Sequence, residues 1–205
     1  FLSALLIASV LFHEDFTIHV KGHHGMAYVK MTIAMMEQFG VKINRQSGDT
    51  EFLHVLEQMG CKSVEEKDGI RLYPPEEKMR GGTFDLSAFS DQALTLAVIS
   101  CFADSPVTIT GIGHIRFQEC DRFQAIVSNL TRMGIECEKV DEETICIHPG
   151  KPKPCEIETF EDHRVAMSFA ILGLVTSGIV ILNPGCCRKT FETYFDVLES
   201  EICMG

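Results

Sequence analysis

The stretch Glu158-Thr-Phe-Glu-Asp-His-Arg-Val-Ala-Met-Ser-Phe-Ala-Ile-Leu-Gly-Leu174 decides the fold, because it joins a charged turn to a long apolar run. Glu161 or Asp162 can cap a helix at the start of this run, and no helix breaker precedes Gly173. A helix that is apolar on nearly every face must be buried. The pattern therefore predicts a buried helix from Asp162.

The first turn of this predicted helix contains Asp162, His163 and Arg164 at the rim of a core. Unpaired backbone N–H groups and the positive end of the helix dipole favour an anion at such a position. One interpretation is therefore an anion site. The alternative is that Asp162 only caps the helix and that Arg164 pairs with a neighbouring carboxylate. Taken alone, the stretch favours this simpler alternative.

Composition narrows the possible functions. A chain of 205 residues that is 45% hydrophobic can form one large or two small domains with a real core. Its net charge of −11 argues against nucleic acid or a membrane surface as partner. The nine cysteines show no CxxC or Cys/His zinc spacing, so they are predicted to be reduced thiols of a cytoplasmic protein. The apolar opening Phe1–Phe12 is too short to span a bilayer and is expected to be a buried helix.

One supersecondary unit is repeated along the chain: strand, buried helix, strand, amphipathic helix and paired strands. Such repetition predicts an α/β fold built from copies of the unit. The predicted elements are the helix Phe1–Phe12, the strand Phe16–Lys21, the helix Tyr28–Phe39, the strand Val41–Asn44, the helix Gln92–Phe102 capped by Ser90-Asp91, the strand Val107–Gly111, the helix Glu119–Met133, the strands Ile135–Val140, Thr144–His148 and Cys155–Thr159, the helix from Asp162, the strand Ile179–Leu182 and the helix Thr190–Leu198.

The spacing of three glycines indicates that one copy is incomplete. Gly40, Gly60 and Gly134 each follow an amphipathic helix and are natural helix stops. Gly60 and Gly134 are 74 residues apart, which is one full unit, but Gly40 and Gly60 are only 20 apart. We therefore predict a junction at Ser47-Gly48, where part of a unit is absent.

Charged clusters recur at the starts of, or approaches to, the predicted helices. Three cations on an acidic protein, together with two carboxylates that can move protons, suit a doubly charged substrate such as a phosphate ester with a carboxylate. The cations are Arg122, Arg164 and Lys189, and the carboxylates are Asp91 and Glu119.

Simpler roles remain open for several of these residues. Asp91 could be only a helix cap. Glu119 and Arg122 are three apart and could form a surface ion pair. Lys189 opposes the dipole at a helix start, so a cation there needs a reason such as a bound anion.

The sequence shows no sign of a metal or nucleophile site. His13, His19, His23, His24, His54, His114 and His148 form no ligand pattern, so no metal is predicted. The sequence also lacks a Ser-His-Asp elbow and a P-loop.

Four motifs resemble the EPSP synthase (3-phosphoshikimate 1-carboxyvinyltransferase) family in order and spacing. The resemblance covers essentially the whole chain. The motifs are Ser90-Asp-Gln-Ala-Leu-Thr-Leu-Ala97, Gly111-Ile-Gly-His-Ile-Arg-Phe-Gln-Glu-Cys-Asp-Arg122, Glu161-Asp-His-Arg-Val-Ala-Met167 and Asn183-Pro-Gly-Cys-Cys-Arg-Lys-Thr-Phe191.

The resemblance implies a fold of two domains, each made of three β/α units in an inverse α/β prism, with buried helices and the sheets outside. It implies that residues 1–46 are a remnant of the N-terminal substrate domain. Residues 47–205 would be the C-terminal enolpyruvyl transferase domain, lacking part of its first unit.

The resemblance also implies a reaction: transfer of the enolpyruvyl group of phosphoenolpyruvate to the 5-hydroxyl of shikimate 3-phosphate, with release of phosphate. No cofactor or metal is needed. By motif, Asp91 is the proton acceptor at the hydroxyl, Glu119 exchanges protons at the methylene carbon, Arg122 and Arg164 hold phosphoenolpyruvate, Lys189 contacts it and acts as an acid, and Tyr28 lies near shikimate 3-phosphate.

The chain departs from the family pattern at several positions. Gln118 stands where a basic residue is usual, and His114 stands where an asparagine touches substrate; both are kept as substrate-binding candidates. Gly25 and Ala27 replace a serine and a proline. Most of the shikimate 3-phosphate contacts would precede Phe1.

These departures lead us to expect weak or no turnover by this chain alone. Alternatives are a non-catalytic fragment, a partner domain that completes a cleft in trans, and an enolpyruvyl transferase acting on UDP-N-acetylglucosamine. The complete protein is expected to be a monomer, and the shortened chain could self-associate through exposed apolar faces.

Overall fold

The computed structural model describes residues 48–66 and 69–202. Tyr28 and the elements predicted between Phe1 and Asn44 lie outside the described residues, as does the whole of the predicted domain 1–46. The described elements, in chain order, are α1 (Gly48–Gln58), β1 (Lys62–Glu66), β2 (Gly69–Tyr73), β3 (Gly82–Asp85), a 3-10 turn (Ser90–Gln92), α2 (Ala93–Ser100), β4 (Val107–Thr110), a 3-10 turn (Gly113–Phe117), α3 (Arg122–Arg132), β5 (Cys137–Lys139), β6 (Ile145–Ile147), β7 (Cys155–Ile157), α4 (His163–Val175), β8 (Ile179–Ile181), a 3-10 turn (Pro184–Cys187), α5 (Arg188–Phe191), α6 (Tyr194–Val197) and a π-helical turn (Leu198–Ile202).

The strands form three sheets that repeat one pattern to different extents. The four-stranded sheet has the order β3-β4-β6-β5, with β3 parallel to β4 and β4 antiparallel to β6. The sheet β7-β8 is a parallel pair like β3-β4. The sheet β1-β2 is an antiparallel pair like β5-β6. Among the described residues, therefore, only the middle unit has all four of its strands.

Two glycines end the amphipathic helices of the first and second units in the same way. Gly60 follows α1 with a φ of +105°, and Gly134 follows α3 with a φ of +77°. This left-handed conformation costs little for glycine and terminates the helix. The matched helix stops confirm the repeat that the sequence predicts between these two units.

Two apolar helices lie at the centre of the core. Every residue of α2 is buried, and α4 is buried continuously from Val165 to Leu172. The two helices contact each other. Strand residues alternate, so that Val107 and Ile109 of β4 face the core while their neighbours are half-buried. The prediction of an α/β fold with buried helices is confirmed.

Two helix boundaries differ from the predictions near the charged clusters. The helix predicted from Glu119 begins at Arg122, because the Asp121 carboxylate accepts the backbone N–H of Gln124 at 2.8 Å and caps it there. Asp91 does not cap the helix predicted from Gln92, since α2 begins without a side-chain cap. Both Glu119 and Asp91 are thereby available for other contacts.

The predicted helix Thr190–Leu198 is also wrong, because two short helices and a π-helical turn take its place. Tyr194, the first residue of α6, is buried, and its hydroxyl donates to the carbonyl of Met167 on α4 at 3.0 Å. Phe191 and Phe195 both pack edge-on against its ring. This anchoring of one aromatic residue in the core coincides with the break in the helix.

No helix within residues 48–66 and 69–202 is long and apolar enough to cross a bilayer.

A candidate anion-binding site

The site is organised around Asp162, the residue before α4. Its carboxylate is fully buried and caps the helix by accepting the backbone N–H of Arg164 at 2.8 Å. The same carboxylate accepts Arg122 Nε at 2.7 Å and Arg122 Nη2 at 3.4 Å. One buried acidic side chain therefore fixes α4 and a cation from the preceding unit.

Burial and pairing act in opposite directions on Asp162. Burial disfavours its ionised form, but the hydrogen bond and charge of Arg122 outweigh this effect, so the pKa of Asp162 lies below its usual value. The Arg122 side chain is itself only 5% exposed. The pair is thus an ionised, hydrogen-bonded contact within the protein.

Asp91 connects Arg122 to the second predicted arginine. Its Oδ1 lies 3.1 Å from Arg122 Nη1, and its Oδ2 lies 3.0 Å from Arg164 Nη2. Gln118 also reaches this point, since its side-chain carbonyl accepts from Arg122 Nη1. Residues from three separate turns therefore converge, and the alternative that Asp91 serves as a simple helix cap is excluded.

Glu119 connects the remaining cation. Its Oε2 lies 3.0 Å from Lys189 Nζ and 2.8 Å from His163 Nδ1. Burial raises the pKa of Glu119, but the hydrogen bonds to Lys189 and His163 outweigh this effect, so the pKa of Glu119 is lowered. A surface pair between Glu119 and Arg122 was the simpler interpretation, and the observed partners of Glu119 are different.

The structure brings the five predicted residues into one network, because His163 Nδ1 lies 2.8 Å from Glu119 Oε2 and 3.8 Å from Asp162 Oδ1 and so links the two groups of contacts. His114 is placed beside it: its Nε2 lies 2.6 Å from the hydroxyl of Ser90, the neighbour of Asp91. Gln118 belongs to the network through Arg122. The five residues are Asp91, Glu119, Arg122, Arg164 and Lys189.

Sequence reasoning missed two members of this network. Asp162 was expected only as a possible cap, and His163 was given no role, yet they hold Arg122 and Glu119 respectively. The signal was present in the sequence. A charged triplet at the start of a buried helix places its side chains where they must find partners.

The formal charges of the network cancel. Arg122, Arg164 and Lys189 carry three positive formal charges, and Asp91, Asp162 and Glu119 carry three negative ones. Asp91 holds the guanidinium groups of Arg122 and Arg164 close together, an arrangement that suits an anion. Because α4 begins at His163, its N-terminal dipole adds to the positive side.

Two groups of the described residues have the spacing of metal ligands. Glu119, Asp162 and His163 form one group, and Glu136, Glu138 and His148 form the other. In the first group, Asp162 is already bonded to Arg122 and Glu119 to Lys189. In the second group, all three residues are at least partly exposed. We assign a metal to neither.

Comparison with known proteins identifies the family. The sequence profile of EPSP synthase (3-phosphoshikimate 1-carboxyvinyltransferase) matches residues 1–52 and 43–198. The chain belongs to the EPSP synthase family. The two matched segments overlap at residues 43–52, which includes the predicted junction at Ser47-Gly48.

Curated relatives with similar sequences support this assignment to the EPSP synthase family. The 3-phosphoshikimate 1-carboxyvinyltransferase of Nostoc punctiforme is 35% identical over 246 residues, which cover 95% of this chain and 57% of the relative. The chloroplastic enzyme of Brassica napus is 37% identical over 159 residues, covering 75% of this chain and 31% of the relative. The chain therefore spans about half the length of the curated relatives it matches.

Solved structures support the fold. An EPSP synthase from Acinetobacter baumannii superimposes with a TM-score of 0.70 at 22% identity, covering 96% of this chain and 44% of that one. The enolpyruvyl transferase NikO from Streptomyces tendae gives 0.65 at 17% identity, covering 95% and 40%. At these identities the likeness shows the enolpyruvyl transferase fold.

Proposed function

We propose that this chain contributes the phosphoenolpyruvate half of an EPSP synthase active site. The complete reaction transfers the enolpyruvyl group of phosphoenolpyruvate to the 5-hydroxyl of shikimate 3-phosphate and releases phosphate. The observation that supports it most directly is that Arg122 and Arg164 pair with Asp91 while Lys189 pairs with Glu119. A phosphate and a carboxylate on one small molecule would satisfy this arrangement of cations.

The proposed roles follow from the chemistry. The substrate hydroxyl oxygen bonds to C2 of phosphoenolpyruvate as Asp91 accepts the hydroxyl proton and Glu119 gives a proton to the methylene carbon. The C–O bond to phosphate then breaks, and phosphate leaves with the bonding electrons as the methyl carbon gives a proton back to Glu119. Arg122 and Arg164 bind the anion, and Lys189 stabilises the departing charge.

Four further residues have proposed roles in positioning the catalytic groups or contacting substrate. His163 holds Glu119 in place. Gln118 and His114 line the approach to Asp91 and would contact substrate. Tyr28, which lies outside the described residues, would contact shikimate 3-phosphate. We propose that no cofactor or metal takes part and that the protein acts in the cytoplasm on small molecules.

We also propose the domain division expected from sequence, with residues 1–46 as a remnant of the N-terminal domain and 47–205 as a shortened C-terminal domain. Two observations support the shortening. The alignment to the Nostoc relative runs over 246 residues, whereas this chain has only 205. The described part of the first unit contains β1-β2 without counterparts of β3-β4.

Phosphate release tests the proposal. The purified chain with both substrates is expected to show little or no turnover, because its match covers only 57% of the length of the Nostoc relative. Adding the separately produced N-terminal domain of the Nostoc relative is expected to restore release. Arg122→Gln in the same mixture is the control and should abolish it. Robust turnover by the chain alone would contradict our view of what is missing.

A second candidate is a non-catalytic fragment. The incomplete first unit favours it, because unpaired strand edges and exposed side chains such as Val180 on β8 promote association over turnover. No restored turnover, together with concentration-dependent self-association in sedimentation, would support this candidate. An enzyme acting on UDP-N-acetylglucosamine stays a weaker alternative, tested by offering that acceptor to the restored mixture.

A further inference from the structure

Asp91 already pairs with the two arginines that an anionic ligand would need. Its two oxygens are divided between two arginines, at 3.1 Å from Arg122 Nη1 and 3.0 Å from Arg164 Nη2. Arg122 has a second carboxylate, Asp162, on its Nε. Within the described ranges, Asp91 is the only carboxylate that forms an ion pair with Arg164.

The balance of charges in the network means that the contact between Asp91 and Arg164 opposes the binding of an anion. Because three cations face three carboxylates, a multiply charged anion that approaches the network meets no net positive charge. It also meets the Asp91 carboxylate directly on Arg164. Like charges at such distances repel, so bound ligand and the observed position of Asp91 oppose each other.

We infer that Asp91 closes the anion site of the ligand-free chain. A phosphate or carboxylate ligand binds Arg164 only as Asp91 leaves it, so the ligand competes with a side chain of the protein. This inference rests on the anion site in the proposed function, but it does not depend on enolpyruvyl transfer.

The solvent exposure of the side chains indicates which ion pair of Asp91 breaks when a ligand binds. The side chains of Asp91 and Arg164 are 46% and 38% exposed, and ion pairs of this kind contribute little to stability. Asp162 is buried and keeps Arg122 in place when Asp91 moves.

Binding of inorganic phosphate and of phosphoenolpyruvate to the full chain tests this inference by titration calorimetry. Asp91→Asn keeps the size of the side chain and removes its charge. We expect it to bind both ligands about five- to tenfold more tightly than the unmodified chain, as the internal competitor is lost. Adding Arg164→Gln to Asp91→Asn should abolish the gain.

A matched control separates local competition from total charge. Glu138→Gln removes the same charge from β5, where Glu138 lies opposite Cys146 and near His148. It should leave both affinities within about twofold, because exposed charges at a distance are screened by salt. Equal gains in Glu138→Gln and Asp91→Asn would overturn the inference.

The remaining outcomes of the binding experiments also support or overturn the inference about Asp91. Asp91→Ser is the second variant, used if circular dichroism shows that Asp91→Asn does not fold. Binding that is no tighter than that of the unmodified chain, or no binding by any variant, overturns the inference. A failure of phosphate release in the restored mixture, with the affinity gain intact, contradicts the proposed function and leaves Asp91 as the competitor.

Discussion

Arg122 Nε donates to the Asp162 carboxylate at 2.7 Å, and both side chains are almost completely buried. The two residues lie 40 positions apart, on the second and third repeats of the unit. Because Asp162 also caps α4, this one ion pair joins the two repeats at the place where the anion site begins. Its removal should therefore affect both stability and binding.

The first prediction concerns the stability of this pair. Asp162→Asn keeps a capping side chain, since asparagine and aspartate cap helices equally well. It leaves the buried Arg122 charge without its main partner, which is expected to lower the free energy of unfolding by about 3–5 kcal/mol. Urea denaturation followed by circular dichroism measures the change. Glu138→Gln, at an exposed position, should change it by no more than about 0.5 kcal/mol.

The second prediction concerns how the stability contributed by Asp162 depends on pH. The pKa of Asp162 is lowered in the folded protein, mainly because Arg122 outweighs the effect of burial. A lowered folded pKa adds stability above the unfolded value of about 3.9, and this stability is lost as pH falls through the folded pKa. The difference in unfolding free energy between the unmodified chain and Asp162→Asn should therefore shrink below about pH 4. A difference that stays constant down to pH 2 would show that the pair contributes no such linkage.

The third prediction concerns Glu119. The Lys189 hydrogen bond lowers the pKa of this carboxyl group against the effect of burial. Lys189→Ala should therefore raise the pKa of Glu119, which a carbon-detected NMR titration of the labelled side chain would follow. Lys151→Ala is the control, because Lys151 lies in the loop between β6 and β7. An unchanged Glu119 pKa in Lys189→Ala would show that the Lys189 hydrogen bond does not lower it.

Much of the fold could be predicted from sequence because the apolar pattern is local. The burial of α2 and α4 follows from runs that lack charged residues, and Gly60 and Gly134 mark helix ends through their backbone freedom. The helix predicted at Thr190–Leu198 failed because Tyr194 is anchored to a carbonyl of α4, a partner distant in sequence.

The candidate site, like the fold, could be predicted from sequence only in part. The charged types of Arg122, Arg164 and Lys189 against an acidic background were visible in the sequence, and the motifs gave their expected roles. Which carboxylate meets which cation was not visible. The division of Asp91 between two arginines depends on how α3 and α4 pack, and packing is a long-range property.

The last prediction concerns the anchor that fixes α6 to α4. Tyr194 is buried, and burial raises the pKa of its hydroxyl, which donates to the Met167 carbonyl at 3.0 Å. Tyr194→Phe keeps the ring packing and removes the donor, so the unfolding free energy should fall by about 0.5–1.5 kcal/mol. Phe195→Leu, which changes a half-buried neighbour, compares loss of ring contact with loss of the hydrogen bond. Because Lys189 lies on the short helix just before α6, phosphate affinity should also fall in Tyr194→Phe if the anchor positions that lysine. An unfolding free energy equal to that of the unmodified chain would show that the hydroxyl adds nothing to the anchor.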